Sequence, residues 1–149
     1  MFAVSLVTRY MHCPLVHHMG AVKRILHYAA GTLDLGIQYK HVQTLGLIGY
    51  VDSDWGGLLD DRRSTTYWVF SLGSGAIAWS SKKQDVTALS STEAEYIAAN
   101  SAACQGIWLR RLLDDMGVKQ TNPTPLFYDN KSTIAITKNP SMYGRTKTH

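Results

Sequence analysis

Apolar residues recur at helical spacing near the start of the chain, at Val16, Met19, Val22, Ile25, Leu26 and Tyr28, with Lys23 among them. This pattern predicts a short amphipathic helix that starts after Pro14 and ends near Gly31. Beyond a polar break at 41–44, the segment 45–52 (LGLIGYVD) has the length and β-rich content of a buried strand, with Asp52 at its end. A charged turn at 60–64 precedes two more β-rich runs, 66–72 and 75–81, separated by Gly73-Ser74-Gly75. That spacer is a hairpin signal, so three strands in an antiparallel meander are expected. Gly73-Ser74-Gly75 is not a phosphate loop, because no strand-then-helix context with Lys-Ser or Lys-Thr surrounds it.

Ser90 stands three residues before Glu93, and Thr92 three before Glu95, which makes two overlapping capping boxes at the start of a long helix. The helix can run to Met116 and stop at Gly117. Ile97, Cys104, Trp108 and Leu112 fall on one face, while Ala98, Ala99, Ala102 and Ala103 are small enough to let the helix lie close to a sheet. Asn122-Pro123 interrupts the chain before a fourth strand over 124–129, and a second helix is predicted over about 131–137. After the N-terminal helix the predicted order is therefore βββαβα, an α/β arrangement.

The chain has 149 residues, 45% hydrophobic and 17% charged, with a mean hydropathy of −0.13. These values exclude disordered, collagen-like and coiled-coil classes. No apolar run reaches the roughly 18 to 20 residues of a membrane span, and the first residues lack a basic leader and small-residue cleavage site. An intracellular protein, cytoplasmic or nuclear, is expected. Cys13 and Cys104 are too few for a disulfide framework. Fifteen Lys and Arg against eleven Asp and Glu give +4. Every charged residue after Asp129 is basic: Lys131, Lys138, Arg145 and Lys147. An acid beside a basic stretch suits a metal-dependent phosphodiester site.

Three acids occupy suggestive places. Asp52 ends the first predicted strand, Glu95 lies in the first turn of the long helix, and Asp129 ends the fourth strand. Their convergence would place repelling carboxylates together, and Mg²⁺ or Mn²⁺, which prefer oxygen ligands, would relieve that repulsion. Two such ions can activate water on one side of a phosphodiester and stabilise the leaving oxygen on the other. The blander reading is that Glu95 completes a capping box with Thr92 and Asp129 starts a turn.

Several motifs occur in a specific order: Gly49-Tyr50-Val51-Asp52-Ser53-Asp54-Trp55, Ala78-Trp79-Ser80-Ser81-Lys82-Lys83-Gln84, Leu89-Ser90-Ser91-Thr92-Glu93-Ala94-Glu95-Tyr96, and Tyr128-Asp129-Asn130-Lys131-Ser132. In these the chain closely resembles the ribonuclease H domain of copia-type retrotransposon Pol polyproteins. Upstream, Ser5-Leu6-Val7-Thr8-Arg9-Tyr10-Met11 and Ala21-Val22-Lys23-Arg24-Ile25-Leu26 look like the end of the reverse transcriptase that precedes that domain. The resemblance implies a reverse-transcriptase remnant over 1–44 and a ribonuclease H-like domain over 45–149. In that domain three antiparallel strands are joined by a fourth parallel to the first.

It also implies metal-dependent cleavage of RNA in an RNA–DNA hybrid. Asp52, Glu95 and Asp129 would be the catalytic, metal-holding acids, with Asp54 and Glu93 outside that set. Ser91, Thr92 and Asn130 match positions that contact the hybrid's minor groove, where sugar hydroxyls distinguish RNA from DNA. The family pattern continues past the threonine-lysine-histidine region into a fifth strand and a last helix carrying a fourth acid. Here the chain stops at Thr146-Lys147-Thr148-His149, so a fold missing those elements is expected, with its metal site impaired.

Other features read more plainly. His12, Cys13, His17 and His18 fit no common zinc spacing. Trp68 and Trp108 are expected in the core, whereas Trp55 and Trp79 could also stack on bases. Lys82 and Lys83 lead toward the helix acid and are candidate phosphate contacts; Arg110 and Arg111 read as solvated charge. Two functions follow. One is a hybrid-cleaving nuclease. The other is a catalytically silent, domesticated remnant that binds a protein through an open sheet edge or its N-terminal helix.

Overall fold

The structure, a computed structural model, describes residues 2–57, 61–129 and 134. The chain divides into two compact units, Met1–Lys40 and His41–His149. The first unit contains α1 (Phe2–Thr8) and α2 (Val16–Ala30), which pack on each other. Helix α2 begins and ends where the apolar spacing predicts, with Gly31 at its C-terminal boundary. At its start the Leu15 N–H donates to His18 Nδ1 at 3.0 Å, and the His18 ring stacks on Tyr10. No described residue of this unit is buried.

The second unit is a mixed sheet with one long helix. Its strands are β1 (Leu47–Asp54), β2 (Thr65–Leu72), β3 (Gly75–Lys83) and β4 (Leu126–Phe127), and α3 (Ser91–Asp115) joins β3 to β4. The spatial order is β3-β2-β1-β4. The first three strands are antiparallel, turned at Gly73 and Ser74, while β4 runs parallel to β1 with Gly49 beside Leu126 and Tyr50 beside Phe127. This is the ribonuclease H-like arrangement that the resemblance implies.

Two strand positions differ from the sequence expectation. Strand β1 lies two residues later than the 45–52 run, so Asp52 stands inside the strand and Asp54 at its end. Strand β4 covers only two of the six residues expected over 124–129. Pro123 and Pro125 flank its approach, and a proline cannot donate to a sheet ladder. The helix expected over 131–137 lies outside the described residues, Ile134 apart.

The caps of α3 follow the sequence closely. Ser90 Oγ accepts from the Glu93 N–H at 3.2 Å, and the Glu93 carboxylate accepts from the Leu89 N–H at 2.8 Å. Thr92 and Glu95, the other capping pair expected, both lie within the helix, whose N-cap is Ser90. At the other end Gly117 takes φ +77°, and the N–H groups of Gly117 and Val118 close back on the Asp114 and Leu113 carbonyls. That left-handed conformation favours glycine, and it stops the helix where predicted.

The helix face that meets the sheet is the small one. Ala94, Ala98, Ala102, Gly106, Leu109 and Leu113 are buried, whereas Trp108 is 55% exposed and Cys104 and Leu112 face outward. The core placement expected for Trp108 is therefore wrong. Phe70 takes the central place instead: it is fully buried, and Trp68 packs edge-on against it at a centroid distance of 5.7 Å. A side chain as bulky as Trp108 on the inner face would hold the helix away from that ring. Burying a phenylalanine contributes about 1.5–3 kcal/mol. On the opposite sheet face, Trp79, Val69, Tyr50 and Phe127 stand in register across all four strands, each at least one-third exposed.

Phe70 fits because two of its neighbours are glycines. A methyl group added at Gly49 would lie 2.7 Å from Phe70 Cε1 and 2.5 Å from Leu126 Cδ2, and one added at Gly106 would lie 3.3 Å from the same ring. Gly49→Ala is expected to cost about 1–3 kcal/mol in urea unfolding through overpacking. Combined with Phe70→Leu, it should cost less than the sum of the two single changes. Strict additivity would mean that the two positions do not press on each other.

Candidate functional site

Three different elements carry the acids. Asp52 comes from β1, Glu95 from the first turns of α3, and Asp129 from the end of the segment that follows β4. Asp52 and Asp129 each lie two residues beyond a registered pair, Tyr50 and Phe127, whose rings stack at 5.5 Å. Parallel pairing of β4 with β1 thus carries both acids toward the same end of the sheet. The close seat of α3 brings Glu95 to them. One carboxylate oxygen from each of the three residues lies within 4.8 Å of the others.

The acids differ in environment. Asp52 and Asp129 are exposed, but Glu95 is buried, and among the described residues its Oε2 has no hydrogen-bond partner. Burial raises the Glu95 pKa above the ordinary glutamate value, and the negative charges of Asp52 and Asp129 push it further. The adjacent Ser53 opposes the shift without cancelling it. Ser53 N–H itself donates to Asp52 Oδ1 at 2.7 Å. An open depression of about 400 Å³, lined by Tyr50, Val51, Asp52, Phe127, Tyr128 and Asp129, lies beside the cluster.

Gln84, which the sequence did not single out, anchors the helix start. Its buried Nε2 donates to the Ala94 carbonyl at 2.9 Å and to Thr66 Oγ1 at 3.0 Å, and its N–H donates to the Ser64 carbonyl. Ala94 immediately precedes Glu95, so this side chain ties the acid's own turn to β2. Only its position at the end of the Lys82-Lys83-Gln84 motif could have drawn attention to it.

The remaining candidates are placed separately. Ser91 is exposed and Thr92 half-buried at the start of α3. Asn130 lies outside the described residues. Lys83 is ion-paired with Asp61, which holds the Asp61 carboxyl below the usual carboxylate range. Lys82, 73% exposed, is 3.8 Å from Asp85. Glu93 is engaged in the helix cap, and Asp54 is exposed at the end of β1. Trp55 is half exposed, with Nε1 donating to the Ala88 carbonyl at 3.1 Å. Arg110 is not solvated charge, because its guanidinium donates to the Gln120 and Asn122 carbonyls and to Thr124 Oγ1.

A mixed sheet of this order, crossed by a helix and carrying one acid from each of three elements, defines a ribonuclease H-like domain. Comparison with known proteins supplies the lineage. The chain is 40% identical over 146 residues, 98% of its length, to the "Retrovirus-related Pol polyprotein from transposon RE2" of Arabidopsis thaliana. It is also 40% identical over 145 residues, 97% of its length, to that from transposon TNT 1-94 of Nicotiana tabacum. The chain belongs to the family of retrovirus-related Pol polyproteins of copia-type transposons. It spans about a tenth of the length of these relatives. It is likewise 40% identical over 107 residues to "Secreted RxLR effector protein 161" of Plasmopara viticola, covering 72% of this chain and 75% of that one. No family model and no solved structure matches the chain. Among the described residues, no helix is long and apolar enough to cross a membrane.

The raised Glu95 pKa sets the sign of a pH effect. The folded state holds this proton to a higher pH than the unfolded chain does. Stability should therefore fall as pH rises from the ordinary glutamate range through the raised value. In buffer containing a chelator, thermal unfolding of Glu95→Gln should lose that slope and give a higher Tm than wild type at neutral pH. Identical profiles for the two proteins would show that Glu95 is not strained in the fold.

Proposed function

We propose that this domain is a metal-dependent nuclease of the ribonuclease H type, cleaving the RNA strand of an RNA–DNA hybrid. The observation that carries this reading is the three-carboxylate cluster with a buried, unpartnered Glu95 Oε2. Asp52 and Asp129 are exposed to water, whereas the buried Glu95 carboxylate is only partly compensated, by the neighbouring Ser53, among the described residues. A hard divalent cation would complete that compensation. Ligand oxygens around Mg²⁺ stand about 3 to 4.2 Å apart, given metal–oxygen distances near 2.1 Å. The cluster therefore needs only a small side-chain adjustment to match.

Asp52, Glu95 and Asp129 would hold Mg²⁺ or Mn²⁺. The bound ions would supply an activated water and stabilise the leaving oxygen of the phosphodiester. Glu95 gives the site its fixed point, because its turn is tied down by Gln84, while the exposed acids leave an open side for a phosphate. Ser91 and Thr92 stand one turn before Glu95, where they would meet the sugar edge of a hybrid, with Asn130 following Asp129. Lys82 and Lys83 would contact phosphates; Lys83 would have to leave Asp61 to do so. The likeness to transposon Pol polyproteins over nearly the whole chain supports the assignment.

A second reading rests on the first unit. An open apolar groove of about 840 Å³ lies along α1 and α2, with Phe2, Leu6, Ile25, Tyr28 and Leu33 among its lining. In this reading the chain is a silent remnant that binds a protein.

A labelled RNA–DNA hybrid with Mn²⁺ or Mg²⁺ separates the two. Wild type should cleave the RNA strand, and Asp52→Asn, purified in parallel, should not. Divalent ion should also raise the Tm of wild type but not of Asp129→Asn. Folded wild type that shows neither cleavage nor a metal-dependent Tm shift would refute the nuclease reading and leave the binding one.

A further inference from the structure

Asp129 is delivered by the weakest pairing in the sheet. Among the described residues β4 matches β1 over Leu126 and Phe127 alone, with the Gly49 N–H donating to the Pro125 carbonyl at 2.9 Å. By contrast β1 and β2 pair over eight consecutive positions. Asp52 and Glu95 are therefore anchored in long elements, whereas Asp129 ends a short one. Two registered residues do not by themselves fix a carboxylate two residues further on.

The missing restraint comes from α3. Arg110, half-buried in the second half of the helix, directs its guanidinium at the segment that leads into β4. Its Nη1 donates to the Asn122 carbonyl at 2.7 Å and to Thr124 Oγ1 at 2.9 Å, and its Nη2 donates to the Gln120 carbonyl at 2.5 Å. All three acceptors fall within five residues that have no regular structure. Gln120 extends the tie to β1: its Oε1 accepts from the Leu47 N–H at 3.0 Å, and its Nε2 donates to the Leu45 carbonyl at 2.8 Å. Arg110 and Gln120 together thus join the helix bearing Glu95, the strand bearing Asp52 and the segment bearing Asp129.

We propose that Arg110 is a positioning residue for Asp129: by pinning residues 120–124 to α3, it sets where the third acid stands relative to the other two. The proposal rests on the three-acid metal site put forward above. A guanidinium suits this work because its donors lie in a rigid plane and reach several acceptors at once. Lysine would keep the charge and lose the fork. Arg111, the exposed neighbour in the next position, serves as the internal control.

The test uses the full chain and two readouts. In metal-free buffer, Arg110→Ala should speed amide exchange at Phe127, Tyr128 and Asp129 while β2 and β3 keep wild-type protection. In MnCl₂ titration, Arg110→Ala should weaken binding roughly ten-fold or more, the range for removing a group that orients a metal ligand. Arg110→Lys should fall between, and Arg111→Ala should bind as wild type. Added to Asp129→Asn, Arg110→Ala should cause no further loss of affinity, since the residue it positions is already disabled. Unchanged exchange at 127–129 in Arg110→Ala, or full additivity with Asp129→Asn, would overturn the proposal. Faster exchange with no Mn²⁺ binding by wild type would instead refute the metal-site reading and, with it, the functional part of this role.

Discussion

The close approach of one helix to one phenylalanine governs the second unit. Phe70 sits at the centre of the sheet with Gly49 beside it on β1 and Gly106 above it on α3, and neither position has room for a larger side chain without displacement. Ala98 and Ala102 continue the same flat helix face. Because the helix lies this low, its first turns reach the second half of β1, where Glu95 meets Asp52. Packing and chemistry are thus the same constraint viewed from two ends. A larger residue at the centre would lift the helix and separate the acids before it altered any of them.

Much of this was written locally in the sequence. The turn between β2 and β3, the serine cap at Ser90 and the glycine stop at Gly117 are short-range signals, and each appears where expected. The parallel seat of β4 was implied by resemblance to a family and not by any local pattern. The small residues Ala98 and Ala102 were legible as the part of α3 that lies close to the sheet, whereas the core place expected for Trp108 was wrong. What decides that face is the partner: a sheet already filled by Phe70 and Trp68 accepts alanine and glycine.

The site was legible in its acids and illegible in its supports. Asp52, Glu95 and Asp129 stand in motifs, and the fold brings them together. Gln84 and Arg110 carry no such mark, since the groups their side chains bind lie 10 to 18 positions away along the chain. Charge alone suggested that Arg110 was solvated; only the fold shows three acceptors in its reach. Side chains that act across elements are the part of a site that one-dimensional spacing conceals.

The row formed by Trp79, Val69, Tyr50 and Phe127 gives the sheet two unlike surfaces. One face is sealed by α3, while the other leaves four sizeable apolar side chains in contact with water, ending beside Asp52 and Asp129. Asp52 and Asp129, each two residues beyond Tyr50 and Phe127, therefore form a charged border to a wall of apolar side chains.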